Sequence, residues 1–193
     1  MIRPLEEGEF PEAGALAAAA FREDPGFAYI LPDDALRRFR LPSLLETLLR
    51  ADALAGGRVS GAFDDGALVG VSSVMPAGRE NPGIPEWIRH LPSLAWILVR
   101  PAALLRGLAL IRSVEARRGE DCDYLHLLCV HPAAQGRGIG AALINDAVKN
   151  ARRSLYLETF AESNRAWYES RGFKLQLEVR SPVRPAFWTM RRG

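Results

Sequence analysis

Val130-His131-Pro132-Ala133-Ala134-Gln135-Gly136-Arg137-Gly138-Ile139-Gly140-Ala141 is the most informative stretch of the 193-residue chain. The β-rich run Asp123–Val130 precedes it, and helical spacing over residues 138–153 follows it. The stretch is therefore a strand-to-helix connection with glycines crowded at the helix entrance. A helix N-terminus presents unpaired N–H groups and partial positive charge. Glycines let an anion reach those groups with no Cβ in the way, and a diphosphate is the natural guest.

Two nucleotide motifs compete for this loop and fit it poorly. A Walker P-loop needs Gly-Lys-Ser/Thr, and the stretch holds no lysine. Gly136-x-Gly138-x-x-Ala141 fits the Rossmann pattern, with Glu158 about 20 residues on. Rossmann glycines, however, follow their strand almost at once, whereas residues 131–135 intervene here, and little βαβ repetition follows.

A third pattern fits better. Gln135-x-x-Gly138-x-Gly140 resembles the Q/R-x-x-G-x-G/A signature of the GCN5-related N-acetyltransferase (GNAT) family, with Val130-His131-Pro132 as its upstream V-x-P. Residues 125–143 resemble that family's central motif throughout. Asn164-Arg165-Ala166-Trp167-Tyr168-Glu169-Ser170-Arg171-Gly172-Phe173 resembles its closing motif, N-x-x-x-Y-E-x-x-G-F. Two halves in the right order are far more specific than either alone. In many relatives the Asn stands seven positions before the Tyr. Here Asn164 stands four before, and Ala161 takes the seventh. The short spacing, the segment 76–120 ahead of the motif strand and the C-terminal Phe187-Trp188-Thr189-Met190 resemble the branch that includes puromycin N-acetyltransferase.

The resemblance implies the GNAT acyl-CoA N-acyltransferase fold, an α/β (α+β) arrangement whose central twisted mixed sheet is flanked by helices. It implies acetyl-CoA as cosubstrate and an N-acetyltransferase that passes the acetyl group to an amine. The amides of Gln135, Gly136, Arg137, Gly138, Ile139, Gly140 and Ala141 would wrap the CoA pyrophosphate. The main chain of Leu128 and Val130 would pair with pantetheine as an added strand does, Asn164 would steady pantetheine or acceptor, and Arg137 or Arg165 would contact phosphate. An inactive CoA-binding regulatory module is the reading from another class.

The chemistry asks for an acid and a base. CoA leaves as a thiolate, and a phenol can protonate it; Tyr168 is the candidate, with Trp167 assigned to the core. Attack needs a neutral amine, and an alkylammonium has a pKa near 10. His126 is the candidate base, histidine being poised near neutrality. The segment 125–131 resembles the strand of arylalkylamine N-acetyltransferases, in which histidines relay protons. Strand alternation places Tyr124, His126, Leu128 and Val130 on one face. Glu158 is a rival base; His131 and His90 have no such support.

The remaining elements fall around this centre. A first strand is expected at 2–5, helices at 9–22 and from Asp33 or Asp34 to about 54 with Pro42 bending or dividing the second, and a hairpin at 58–64 and 67–75 turning through Asp64-Asp65-Gly66. The segment 76–120 reads as an insertion with helices at 86–99 and 102–118. A strand at 154–159, a helix at 163–170 and strands at 173–179 and 186–191 complete one domain over 1–193. Mixed elements in this order predict a mixed sheet covered on both faces.

Composition bounds the rest. The chain is 48% hydrophobic and 25% charged with net charge +2, so no global field recruits nucleic acid or an acidic membrane. Glu6, Glu7, Glu9 and Glu12 oppose a signal peptide, and Pro92, Arg100, Pro101 and Arg106 interrupt the most apolar run. Cys122 and Cys129 read as reduced thiols, fitting a cytoplasmic protein. Three scattered histidines argue against a metal site. The partner is a small-molecule or peptide amine; a homodimer is left open.

Overall fold

The computed structural model describes residues 1–78, 100–117, 119 and 121–193. The strands form one seven-stranded sheet, β1 (Ile2–Pro4), β2 (Arg58–Asp64), β3 (Ala67–Met75), β4 (Asp123–Val130), β5 (Leu155–Thr159), β6 (Lys174–Val179) and β7 (Phe187–Arg192), in the order β1-β2-β3-β4-β5-β7-β6. Every neighbouring pair is antiparallel except β4–β5, which is parallel. The mixed sheet matches the expected fold class. The β2–β3 hairpin has the expected bounds, and its turn is left-handed at Asp65 (φ 47°) and Gly66 (φ 83°). Positive φ at both central residues is what a two-residue hairpin turn requires.

Helices α1 (Phe10–Ala20), α2 (Pro25–Ile30), α3 (Asp34–Leu54), α4 (Pro101–Glu115), α5 (Ile139–Asn150) and α6 (Glu162–Glu169) accompany the sheet. Asp33 caps α3, its carboxylate accepting from the Leu36 N–H at 2.7 Å. Pro42 does not divide helix α3, which runs from 34 to 54 with the proline inside it. A mid-helix proline costs about 3 kcal/mol. Leu41, Leu45 and Leu49, at most 1% exposed, each contribute roughly 1.5–3 kcal/mol by burial, and packing against α1 prevails. Helix α2 was not expected; Asp24 caps it through the N–H groups of Gly26 and Phe27. Helix α4 answers the helix expected at 102–118, whereas the one expected at 86–99 lies outside the described residues. No helix among the described residues is long and apolar enough to cross a membrane.

Two cores sit on opposite faces of the sheet. Leu127 and Cys129 pack with α1 and α3, whereas Leu125 packs with Ile144 and Ala147 of α5. Strict alternation would put all three together. They part because the β3–β4 register slips between Ser73 and Val74: Ser73 pairs with Leu127, Val74 with Leu125, and His126 is the extra residue. A bulge of this kind re-aims the side chains on either side of it. The expected common face of Tyr124, His126, Leu128 and Val130 is corrected accordingly. Leu128 packs toward α5 and α6, while His126 reaches α3 on the other side.

Candidate active site

Strands β4 and β5 pair only at Asp123↔Leu155 and Tyr124↔Tyr156. Beyond that rung they diverge, and a cleft of about 730 Å³ opens between Leu128–Val130 on one side and α6 on the other. The His131 N–H donates to Val69 on β3 at 2.9 Å. Amide directions alternate along a strand, so the N–H and C=O groups of Leu128 and Val130 point into the gap. The Val130 carbonyl already accepts from the Gln135 side chain at 3.2 Å. An extended ligand pairing with Val130 has to displace that amide.

The glycine loop closes one end of the cleft. A 3₁₀ turn, Pro132–Ala134, leads to Gly136 (φ 78°) and Gly138 (φ 80°), which stands at the head of α5. Left-handed φ at both positions explains the two glycines. The Ala142 N–H donates to the Gly138 carbonyl at 3.0 Å, so the N–H groups of Ile139, Gly140 and Ala141 come before the first helical bond. All three residues line the cleft, as do Gln135, Gly136 and Gly138. The residues carrying these main-chain donors therefore lie along the wall of the cleft.

Helix α6 forms the facing wall. Asn164 lies in its first turn and Ala161 is its N-cap; both line the cleft, as does Tyr168 one turn further on. Tyr168 is 8% exposed and packs edge-on against Trp167 and Phe173. Burial pushes its phenol well above the ordinary value, with a smaller push from Cys129 and an opposing pull from Arg171. The phenol is therefore protonated at neutral pH and able to donate. Cys129 is also fully buried, its thiol pushed up to about 12, which leaves it a poor nucleophile.

The cationic residues fall out differently from expectation. Arg137 turns from the cleft, pairs with Asp64 and lines a smaller pocket beside β1 and β2. Arg165 pairs with Glu169 along α6 at 2.9 Å and is not among the cleft-lining residues. Arg171 is the one cation among the described lining residues. It stacks on the Trp167 ring at 3.7 Å and donates to the Trp167 carbonyl at 2.8 Å. Its place inside the closing motif was the only sequence signal for it.

His126 stands at the bulge, two residues past the last β4–β5 rung. Its Nδ1 lies 2.9 Å from both carboxylate oxygens of Asp52, which is 4% exposed near the end of α3. The Ser73 hydroxyl donates to the same carboxylate at 2.6 Å. Tyr124 flanks the imidazole at 5.1 Å between ring centroids, and Tyr156 lies 6.1 Å beyond Tyr124. Burial and the neighbouring Glu158 carboxylate push the Tyr156 phenol up. Glu158 stands on β5 opposite Thr189. His131 caps the 3₁₀ turn, accepting from the Ala133 N–H at 3.3 Å, and His90 lies outside the described residues. Asp52 stands 74 positions from His126, and no motif links the two.

Residues 107–175 match the acetyltransferase (GNAT) domain family. The whole chain superposes on solved acetyltransferases. One is the histone acetyltransferase HPA2 and related acetyltransferase of Corynebacterium glutamicum, with TM-score 0.70, 20% identity and coverage of 100% of this chain and 94% of that one. The fold is the GNAT acetyltransferase fold. The PaiA N-acetyltransferase of Thermoplasma acidophilum, solved with coenzyme A, superposes with TM-score 0.59, 15% identity and coverage of 100% and 97%. A Drosophila melanogaster polyamine N-acetyltransferase that forms N-acetylagmatine gives TM-score 0.56, 16% identity and coverage of 99% and 98%. In this GNAT fold the β4–β5 cleft, the glycine loop and α6 form one continuous surface.

Proposed function

We propose that this GNAT domain is an N-acetyltransferase that moves the acetyl group of acetyl-CoA to a primary amine by direct attack in a ternary complex. The observation that carries the reading is the gap between β4 and β5. Main chain of Leu128 and Val130 that β5 does not pair meets helix-entrance N–H groups at one end, and a buried, protonated tyrosine lines the same cleft. Such a gap suits an extended thioester with an anionic end.

The residues present fit the group. The amides of 135–141 and Arg171 would hold its phosphates, Leu128 and Val130 its pantetheine arm, and Asn164 the arm or the acceptor. His126, across the bulge, would take the proton of the incoming ammonium. The neutral nitrogen then attacks the thioester carbonyl, forming the C–N bond and breaking the C–S bond. Tyr168 supplies the proton that the departing thiolate takes up, and the proton shed by the acylated nitrogen restores the phenol, so the transfer balances as amine plus thioester to amide plus thiol. Polyamine acetylation by a neighbour of the same fold supports a small primary amine as acceptor. The gap of four between Asn164 and Tyr168 supports the puromycin N-acetyltransferase-like branch.

A panel of primary amines incubated with acetyl-CoA, read by release of free thiol, tests the reading. Amine-dependent thiol release is expected. Tight CoA binding without release for any amine would instead leave a non-catalytic CoA-binding module.

A further inference from the structure

We infer that Asp52 is a positioning residue that fixes the tautomer of His126 and strengthens it as a base, with Ser73 holding Asp52 in place. The inference rests on the reading of His126 as the base of amine acetylation. Asp52 is an expensive residue where it stands. It is 4% exposed, two residues before the end of α3, with no basic residue in that last turn. A carboxylate there opposes the helix dipole, and a buried one is costly unless its oxygens are hydrogen-bonded. Its donors are the Ser73 hydroxyl at 2.6 Å and the His126 Nδ1–H at 2.9 Å.

A carboxylate accepts and does not donate, so the proton of the neutral imidazole sits on Nδ1. Nε2 then carries the lone pair and is the nitrogen that takes a proton. Once it does, the imidazolium is held against a buried anion, which favours the charged ring and raises the basicity of Nε2. A third group orienting a base is the arrangement that activated sites share.

Among the described residues, the titratable and charged groups around the imidazole are few. Asp52 faces it from α3, Tyr124 from its own strand, and Tyr156 and Glu158 lie beyond on β5. From β3, the Ser73 hydroxyl reaches Asp52 and does not titrate near neutrality. Asp52 is an anion in direct contact with it.

Nitrogen-15 NMR of the imidazoles tests this without turnover, since the chain has three histidines and His126→Gln assigns the signal. The expected wild-type state is neutral His126 protonated at Nδ1. In Asp52→Asn the titration midpoint falls by about one pH unit, a tenfold weaker base. The acid limb of kcat/KM moves down with it, and Asp52→Glu restores both in part. An Nε2–H tautomer in the wild type overturns the inference, as does a midpoint unmoved in a folded Asp52→Asn. The wild-type tautomer needs no variant, so a misfolded Asp52→Asn leaves it decisive. An Nδ1–H tautomer in a protein that releases no thiol would sink the acetyltransferase reading and leave the pairing intact.

Discussion

Tyr124 and Tyr156 form the last rung between β4 and β5, and the proposed site is built around the point where pairing stops. On one side of the sheet the diverging strands open the cleft; on the other, His126 meets Asp52 two residues further along β4. A single register slip at His126 separates the two sides.

The glycine entrance is tested by Gly138→Ala. Its φ of 80° strains any residue with a Cβ, at a cost of about 1–3 kcal/mol. Relaxing that strain rotates the N–H groups that follow. Titration calorimetry should show acetyl-CoA affinity weakened at least tenfold, with the melting temperature also lowered. Unchanged affinity would mean that this loop does not hold the ligand.

Tyr168→Phe isolates the acid. The variant keeps the ring packed against Trp167 and Phe173 and removes only the hydroxyl. Turnover should fall by about 10²–10⁴-fold with CoA affinity nearly intact. The pH dependence has a definite sign: the acid works in its protonated form, and burial raises its pKa. Activity should therefore show no alkaline loss attributable to this phenol below the ordinary tyrosine value near 10.

Gly57→Ala probes the seat of Asp52. A Cβ there would lie 2.5 Å from Met75 Sδ and 2.7 Å from the Asp52 carbonyl, which accepts from the Gly57 N–H at 2.8 Å. Overpacking of this kind costs about 1–3 kcal/mol. Chemical denaturation should show that loss, and the acid limb of kcat/KM should shift as the end of α3 is displaced. Retention of both would contradict the close approach.

Glu9 gives a stability effect with a worked sign. Its hydrogen bonds with Arg3, then with the Glu6 N–H, lower its pKa from 4.5 to about 2. A depressed acid contributes stability that is present above the unfolded value and lost as pH falls through the folded one. Melting temperature should decline between pH 4.5 and 2, and Glu9→Gln should flatten that part of the profile. An identical decline in the variant would assign the effect elsewhere.

What the sequence made legible was local. The β2–β3 hairpin, the Asp33 cap and the strand-to-helix glycine loop each depend on neighbours within a few positions. Of the bend or break expected at Pro42, the break is absent because leucines packed against α1 outweigh the proline. Tyr124, His126, Leu128 and Val130 were placed on one face because alternation holds until a bulge breaks it, and no residue type announces that bulge. Asp52 was invisible because its partner lies far along the chain. The side chain of Arg137 has an acid within reach at Asp64, which a loop motif does not register.

A crystal structure of the protein with coenzyme A tests the central claim most directly. The account predicts pyrophosphate oxygens against the amides of residues 136–141, pantetheine along Leu128 and Val130, and sulfur beside the Tyr168 hydroxyl. A ligand bound elsewhere, with the gap between β4 and β5 left empty, would contradict it.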